Sequence, residues 1–354
     1  MDTRIVGCFA RISESAAREA ACAIAVNGWV LDSEGWHFAH ATSCANASPP
    51  QSAASVKTAN LVVKASVYYR DRMLSSEQVV QFHRDGYCLS SGILPDSEIK
   101  ALLADLESVS AGATLANHDS TRMEMEPNQG PDGTRLRRLY EPCTHYPRFR
   151  AFSESRELLD CLAQLLGENL LFHYSKLNMK PPAIGSAVEW HQDLAYYPLT
   201  NTDSLAVLVY LDDADRRNGS LQVIPGVHHN GILDHTLHGY FRGQITQRVD
   251  ESRALSIEGS AGAVIFLHGM TPHASAPNTS QRSRRTLIMG YRAADAFPIY
   301  VGETTANAER YVRLVRGGRC SRARLAGTEV PVPRYETVPK SLYELQQRFR
   351  EQQV

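Results

Sequence analysis

Between residues 170 and 291 the sequence offers five short apolar runs, at 170–179, 204–211, 220–224, 263–267 and 286–291, with no sustained helical period among them. They are rich in Leu, Val, Ile and aromatic residues and are bounded by Pro-Pro, Asn-Gly, Pro-Gly and Gly-Ser turn signals. Runs of this length, punctuated this way, read as strands, because a pleated chain needs few residues to cross a core and a turn residue to come back. Upstream the period is helical. Ser75 and Gln78 form a capping box that opens a helix to about Asp85, with Val79, Phe82 and His83 on one face and Gly86 as its stop. A strand-like run follows at 87–90. Pro95-Asp96 opens a second helix carrying Ile99, Leu102, Leu103 and Leu106. A third, over 155–166, turns Leu158, Leu162, Leu165 and Leu166 inward and ends at Gly167. The polar, aperiodic stretch 108–137 is expected to be a long loop. Helices first and many short strands later predict a mainly β fold, a sandwich or barrel, with flanking helices outside.

Composition narrows the partners. With 37 basic and 38 acidic residues, mostly interspersed, the chain lacks the basic excess of a nucleic-acid binder. The basic run 316–324 reads as a solvated loop. No stretch reaches the ~18 consecutive apolar residues of a membrane span, and charges at Asp2, Arg4, Arg11, Glu14, Arg18 and Glu19 break any secretory h-region. Seven scattered cysteines without a C-x-x-C pair fit a reduced, cytoplasmic chain. Residues 1–72 are Ala- and Ser-rich without periodicity and are expected to form a poorly ordered extension, so a chain starting at Met73 should keep its fold. Residues 73–300 form the main domain, and 301–354 a C-terminal extension ending in a polar helix from near Ser341.

The chemistry concentrates on three residues. His191-Gln192-Asp193 sets an imidazole and a carboxylate two apart, and on a strand such positions share a side. His273, 80 residues later, follows another apolar run and supplies a third ligand. Two histidines and one carboxylate leave coordination positions open, the facial arrangement of non-haem Fe(II) oxygenases. His268 competes for the third place, but the spacing to Asn278 and Arg284 favours His273. Arg284, 11 residues past His273, offers a guanidinium fork for the remote carboxylate of a dicarboxylate co-substrate, and Ser275 a hydroxyl donor. The histidines at 228, 229, 235 and 238 lack the thiolate company of structural zinc and read as loop residues. Asp212, Asp213 and Asp215 read as a solvated turn, and Cys88, Cys143 and Cys161 as small buried hydrophobes. Tyr196 and Tyr197 either line a substrate pocket or pack in the core.

Several segments carry a family resemblance: Asn178-Met179-Lys180-Pro181-Pro182, Trp190-His191-Gln192-Asp193-Leu194, the run from Asn218-Gly219-Ser220 to Pro225-Gly226-Val227-His228, and His273-Ala274-Ser275-Ala276-Pro277-Asn278 with Arg284. In this order and spacing, over roughly residues 75–295, the chain resembles the phytanoyl-CoA dioxygenase family. The resemblance implies a double-stranded β-helix, a cupin-like jelly roll of two facing sheets. It implies Fe(II) on His191, Asp193 and His273, 2-oxoglutarate on Arg284 and Ser275, further co-substrate contacts from Lys176, Gln192 and Arg138, and O2 as oxidant. Two departures bear on pocket shape: Val209, where some members place a Trp, and Ala274, where Gly is commoner. Related halogenases replace the carboxylate ligand by a small residue, so Asp193 points to hydroxylation. Desaturation and rearrangement stay open. So do a ligand-binding protein on a degenerate oxygenase scaffold and a cupin-like enzyme using another metal. The partner is a small molecule: an acyl-CoA, a terpenoid or other secondary metabolite, or an amino-acid-like compound. Loops 108–137 and 232–252 are expected to shape its pocket.

Overall fold

The structure, a computed structural model, describes residues 29–32, 35–38, 73–299, 309–327, 333–335, 338–339 and 341–351. The chain divides into two units, Met1–Asp71 and Arg72–Val354. In the first, an antiparallel hairpin of β1 (Trp29–Asp32) and β2 (Gly35–Phe38) is described, which the sequence reading did not anticipate. The expected poor order over the rest of 1–72 lies outside the described residues.

The second unit is built on two antiparallel sheets. Its strands in chain order are β3 (Tyr87–Ser90), β4 (Met123–Met125), β5 (Leu136–Tyr140), β6 (Leu170–Lys180), β7 (Val188–His191), β8 (Ser204–Tyr210), β9 (Leu221–Val223), β10 (Thr236–Leu237), β11 (Tyr240–Phe241), β12 (Leu255–Ile257), β13 (Val264–His268), β14 (His273–Ser275), β15 (Arg284–Ala293) and β16 (Arg313–Arg316). The larger sheet runs β3-β13-β8-β15-β6-β5-β4, with β16 also on β6; the smaller runs β12-β9-β14-β7. A short ribbon pairs β10 with β11. The helices are α1 (Ser76–Asp85), α2 (Asp96–Ser110), α3 (Pro142–His145), α4 (Pro147–Ser153), α5 (Arg156–Leu166) and α6 (Leu342–Glu351).

Alternation along the central strands makes two cores from one sheet. Leu205, Val207 and Val209 of β8, with Leu287 and Met289 of β15, pack on Phe82, Leu102, Phe149 and Leu162 of the helices. Ala206, Leu208 and Tyr210 point the other way and meet Leu221, Val223 and Ile257 of the smaller sheet. Every residue of β8 is buried, which explains its unbroken apolar character, since a strand covered on both faces has no polar side to show. Val209 therefore faces the helices and not the site, so the departure noted at that position bears on the helical core. Truncating a buried aromatic such as Phe82 to Ala costs about 3–5 kcal/mol.

A bulge in β6 decides what faces inward. Gly290 pairs with Tyr174 but Tyr291 pairs with Phe172, so His173 is an extra residue on β6. Beyond it the parity switches. Phe172 joins the helical core, whereas Tyr174 packs on the inter-sheet side.

The capping box at Ser75 and Gln78 is present, with Gly86 closing α1 in the left-handed region. The expected strands are observed within a few residues. One reading changes: the stretch 108–137 is not one loop, because it holds β4 and the start of β5. Helices α3 and α4, for which the sequence raised no expectation, each begin on a proline and are too short to show a period. The basic run 316–324 is, past the end of β16, a mostly exposed loop as expected, with Arg316 paired to Asp160 and Glu168 and Arg324 to Asp203 and Asp295. Around the domain boundary expected at 300, residues 300–308 lie outside the described residues. Past them, β16 joins the large sheet and α6 buries Tyr343, Leu345, Gln346 and Phe349.

Candidate metal centre and its two compartments

β7 ends on His191 and β14 begins on His273, and the pairing of these strands sets the two residues opposite each other. The chain then tightens into a single 3-10 turn over Asp193–Ala195, so Asp193 reaches the site from a turn and not from a strand. His191 Nε2 and His273 Nε2 lie 3.8 and 3.9 Å from Asp193 Oδ1, with ring centroids 4.1 Å apart. One ion with nitrogen and oxygen bonds of about 2.0–2.2 Å can bridge such gaps. All three residues are buried, and among the described residues they are the set able to hold a metal, with ligand atoms within 4.8 Å of one another.

The donor atoms are prepared for this. His191 Nδ1 sits 2.7 Å from the Glu189 carbonyl and His273 Nδ1 3.0 Å from the Thr271 carbonyl. A nitrogen facing a carbonyl must carry the proton, which leaves both Nε2 lone pairs turned inward. Burial, reinforced by the other ring, pushes the His191 pKa well below the ordinary value, and burial lowers that of His273. Both rings are thus neutral, as ligation requires. Tyr174 donates its hydroxyl to Asp193 Oδ2 at 3.3 Å, which leaves Oδ1 toward the imidazoles. A Cβ on Gly290 would fall 2.4 Å from the Tyr174 ring, so this tyrosine needs the glycine beneath it.

Two compartments meet at the triad. The inner one is narrow and is lined by Lys176, Asn178, Lys180, Ser275 and Arg284 on its polar side and by Leu208, Leu221, Leu267 and Ile288 on its apolar side. Arg284 is 5% exposed and has no ion pair among the described residues. It donates through Nη1 to Thr286 Oγ1 at 2.7 Å and through Nη2 to the Gly219 carbonyl, while its Nε is buried without a partner. Gly219 has φ 79°, and a Cβ there would meet the Ala276 carbonyl at 2.4 Å. Lys180 donates to the carbonyls of Ser186 and Ala276 at 2.5 and 2.6 Å. Burial, with Arg284 nearby, holds its pKa well below the usual lysine value. A buried arginine without a carboxylate, at one end of a slot whose other end is a metal-ligand set, fits a co-substrate with an anion at each end. The outer compartment has a volume of about 390 Å3 and is lined by Arg138, Lys176, Tyr174, Tyr196, Tyr197 and residues of α6.

The residues expected from sequence divide accordingly. His191, Asp193, His273, Ser275, Arg284 and Lys176 converge, Lys176 bordering both compartments. Arg138 stands in the outer compartment. Gln192 does not line either one: its amide donates to the Gly231 and Met270 carbonyls and accepts from Leu233 N–H, bracing the loops behind the triad. That is the alternation of an extended chain, which turns the middle residue of H-x-D away from the metal. His268 accepts from Met270 N–H, outside the triad. His235 receives the Gln192 N–H on its Nε2 and is neutral, its pKa lowered by burial to about 4. Tyr196 and Tyr197 line the outer compartment, and Ala274 the inner. Of the acidic turn, Asp212 pairs with Arg285 and Asp215 caps a 3-10 turn. Cys88, Cys143 and Cys161 are buried thiols. Tyr174, Lys180 and the residues of α6 were missed, although Lys180 carries a sequence signal in the Pro-Pro that follows it.

A jelly roll of facing antiparallel sheets with a buried 2-His-1-carboxylate set and a carboxylate-free arginine beside it defines the non-haem iron, 2-oxoglutarate-dependent dioxygenases. Comparison with known proteins agrees. The family model of phytanoyl-CoA dioxygenase matches residues 82–286, and the chain belongs to that family. A probable alpha-ketoglutarate-dependent hypophosphite dioxygenase of Stutzerimonas stutzeri is 32% identical over 231 residues, covering 63% of this chain and 80% of the relative. An ectoine dioxygenase of Bordetella bronchiseptica is 24% identical over 257 residues, covering 67% and 79%. The crystal structure of EctD from S. alaskensis with bound Fe superposes with a TM-score of 0.54 at 22% identity, covering 70% of this chain and 88% of that one. The protein is an Fe(II)- and 2-oxoglutarate-dependent dioxygenase acting on a small molecule. No helix among the described residues is long and apolar enough to cross a membrane.

Proposed function

We propose that the enzyme hydroxylates a C–H bond of a small organic substrate, one atom of O2 entering the product and the other entering succinate as 2-oxoglutarate loses CO2. The observation that carries this reading is Arg284, a buried guanidinium that makes no ion pair with the described residues, in the slot that leads to the triad. Bound iron supplies the activation of O2 that no amino-acid side chain can perform. The chain does the rest. His191, Asp193 and His273 hold the metal from one side. Arg284 and the Ser275 hydroxyl take the remote carboxylate of 2-oxoglutarate, next to Lys180. Tyr174 steadies Asp193, and the walls of Leu208, Leu267 and Ile288 exclude water from the slot. Substrate enters from the outer compartment, whose volume of about 390 Å3 falls in the range of about 300–1,000 Å3 typical of small-molecule sites. Among acyl-CoA thioesters, terpenoids, other secondary metabolites and amino-acid-like compounds, it favours the compact ones. The relatives named for hypophosphite and ectoine support a compact substrate.

The test is succinate release by the iron-loaded enzyme across a metabolite panel. Substrate-dependent succinate supports the reading. Tight 2-oxoglutarate binding without turnover would instead make this a binding protein, and firmly held zinc with O2-independent activity a different metalloenzyme.

A further inference from the structure

The polar side of the inner compartment is laid out in rows across three strands. Lys180, Asn178 and Lys176 alternate along one face of β6, and the register sets them opposite Arg284, Thr286 and Ile288 of β15. On the other edge of β6, Arg138 of β5 stands opposite Asn178 and donates from Nε to its Oδ1 at 2.9 Å. The middle row of Arg138, Asn178 and Thr286 therefore lies between the row of Arg284 and the row of Lys176. The Lys176 row is the one next to Tyr174, whose hydroxyl reaches Asp193.

The side chain against that middle row comes from the end of the chain. Tyr343, in the first turn of α6, is buried, and its ring centroid lies 4.9 Å from the Arg138 guanidinium and 4.3 Å from that of Arg137. Both are cation–π distances, which extend to about 6 Å. With Leu342 it lines the inner compartment beside Lys176, Asn178 and Arg284. A buried tyrosine hydroxyl ordinarily finds an acceptor, yet that of Tyr343 makes no hydrogen bond with the described residues. Burial raises its pKa against the pull of Arg138 and Arg137, so the phenol keeps its proton and remains a donor. Burial also lowers the Arg284 pKa, and Tyr210 and Tyr343 oppose that shift, which places the phenol within electrostatic reach of the guanidinium.

The helix that carries Tyr343 is fastened along its length. Ser341 Oγ donates to Glu124 at 2.8 Å, and Arg350 pairs with Glu189 at 2.8 Å. Gln346 donates to the Gly243 carbonyl at 2.7 Å and accepts from Glu189 N–H at 3.3 Å. Gly243 has φ 70°, and a Cβ there would fall 2.6 Å from Leu345 Cδ2, so the helix seats against a residue that must be glycine. This helix lies beyond residues 82–286, which the family model matches, so membership of the family assigns it no part in the site.

We infer that α6 completes the co-substrate slot: the Tyr343 hydroxyl donates a hydrogen bond to 2-oxoglutarate beside Arg284, and Leu342, which borders both compartments, closes the slot toward the outer one. The assignment rests on the oxygenase reading above. Two guanidiniums hold the ring and the ligand takes the hydroxyl, so substitution can separate the part of the residue that packs from the part that binds.

The full chain, loaded with Fe(II) without oxygen, is titrated calorimetrically with 2-oxoglutarate as the parent, Tyr343→Phe and Tyr343→Leu, and each ligand-free protein is melted in parallel. Tyr343→Phe keeps the ring and should weaken 2-oxoglutarate roughly tenfold or more, the worth of one hydrogen bond to a charged acceptor. Its ligand-free melting temperature should match the parent. Tyr343→Leu should lose at least as much affinity and also melt lower, because the ring leaves Arg137 and Arg138. A 2-oxoglutarate Kd for Tyr343→Phe within about twofold of the parent overturns the inference. So does a ligand-free melting temperature that falls in Tyr343→Phe, since the hydroxyl would then serve the fold and not the ligand. A parent chain that binds iron but no 2-oxoglutarate would overturn the oxygenase reading itself, an outcome distinct from both.

Discussion

Replacing Arg284 by Met tests the co-substrate assignment most directly. The side chain is buried, has no ion pair among the described residues, and spends two of its donors on Thr286 and Gly219. Its loss would leave the remote carboxylate of 2-oxoglutarate in a buried slot without a countercharge. Removing one partner of such a pair costs about 2–5 kcal/mol, and at about 1.4 kcal/mol per tenfold this is a loss of roughly 30- to several-thousand-fold in affinity. Arg284→Lys should fall between, since it keeps the charge and loses the planar fork. The assay is calorimetric titration of 2-oxoglutarate into the anaerobic Fe(II) protein, with iron stoichiometry measured in parallel. Iron should stay bound in both variants, because none of the hydrogen bonds of Arg284 goes to the triad. A 2-oxoglutarate Kd for Arg284→Met within about threefold of the parent, under 1 kcal/mol, would refute the reasoning.

Further outcomes follow from the same geometry. His191→Ala or Asp193→Ala should each release iron on desalting and abolish succinate production; metal analysis showing stoichiometric iron in either variant would count against the ligand set. Gly290→Ala places a methyl group against the Tyr174 ring, and overpacking of this kind costs about 1–3 kcal/mol. Lower thermal stability together with weaker iron binding is expected, and an unchanged iron Kd would separate Tyr174 from Asp193. The metal-free protein should lose stability on acidification. Burial lowers His235 from 6.5 to about 4 and His268 from 6.5 to about 3. Below 6.5 the unfolded chain therefore takes up protons that the folded one refuses. Each ring then removes about 1.4 kcal/mol per pH unit until its folded pKa is reached. Urea midpoints that hold steady or rise between neutral pH and about pH 5 would contradict this.

How far the sequence could be read depended on the range of the signal. Helix α1 was legible to its ends because its cap, its buried Phe82 and its terminating Gly86 are all local. The triad was legible because two ligands lie two residues apart and the third keeps its distance to Arg284. Gln192 turns away from both compartments although it stands between two residues that converge, because neighbours in an extended chain face opposite ways. Tyr174 was out of reach for a different reason. Its direction is set by the extra residue at His173, and a bulge leaves no mark on composition or period. Arg138 was named, but its compartment depends on β5, a strand for which the sequence raised no expectation. The wall supplied by α6 could not be seen either, since its helical pattern says nothing about where it docks.

The carbonyl behind each liganding imidazole belongs to the residue two positions earlier in the chain, Glu189 for His191 and Thr271 for His273, and Leu233 stands in the same relation to His235. Main-chain oxygens are shared by every amino acid, so exchanging the side chains at 189 or 271 leaves the proton on the outer nitrogen. Point substitution has little hold on the ring tautomers here. Slippage of β7 along β14 does, because a shift of one residue would carry His191 to the opposite face and its supporting oxygen with it.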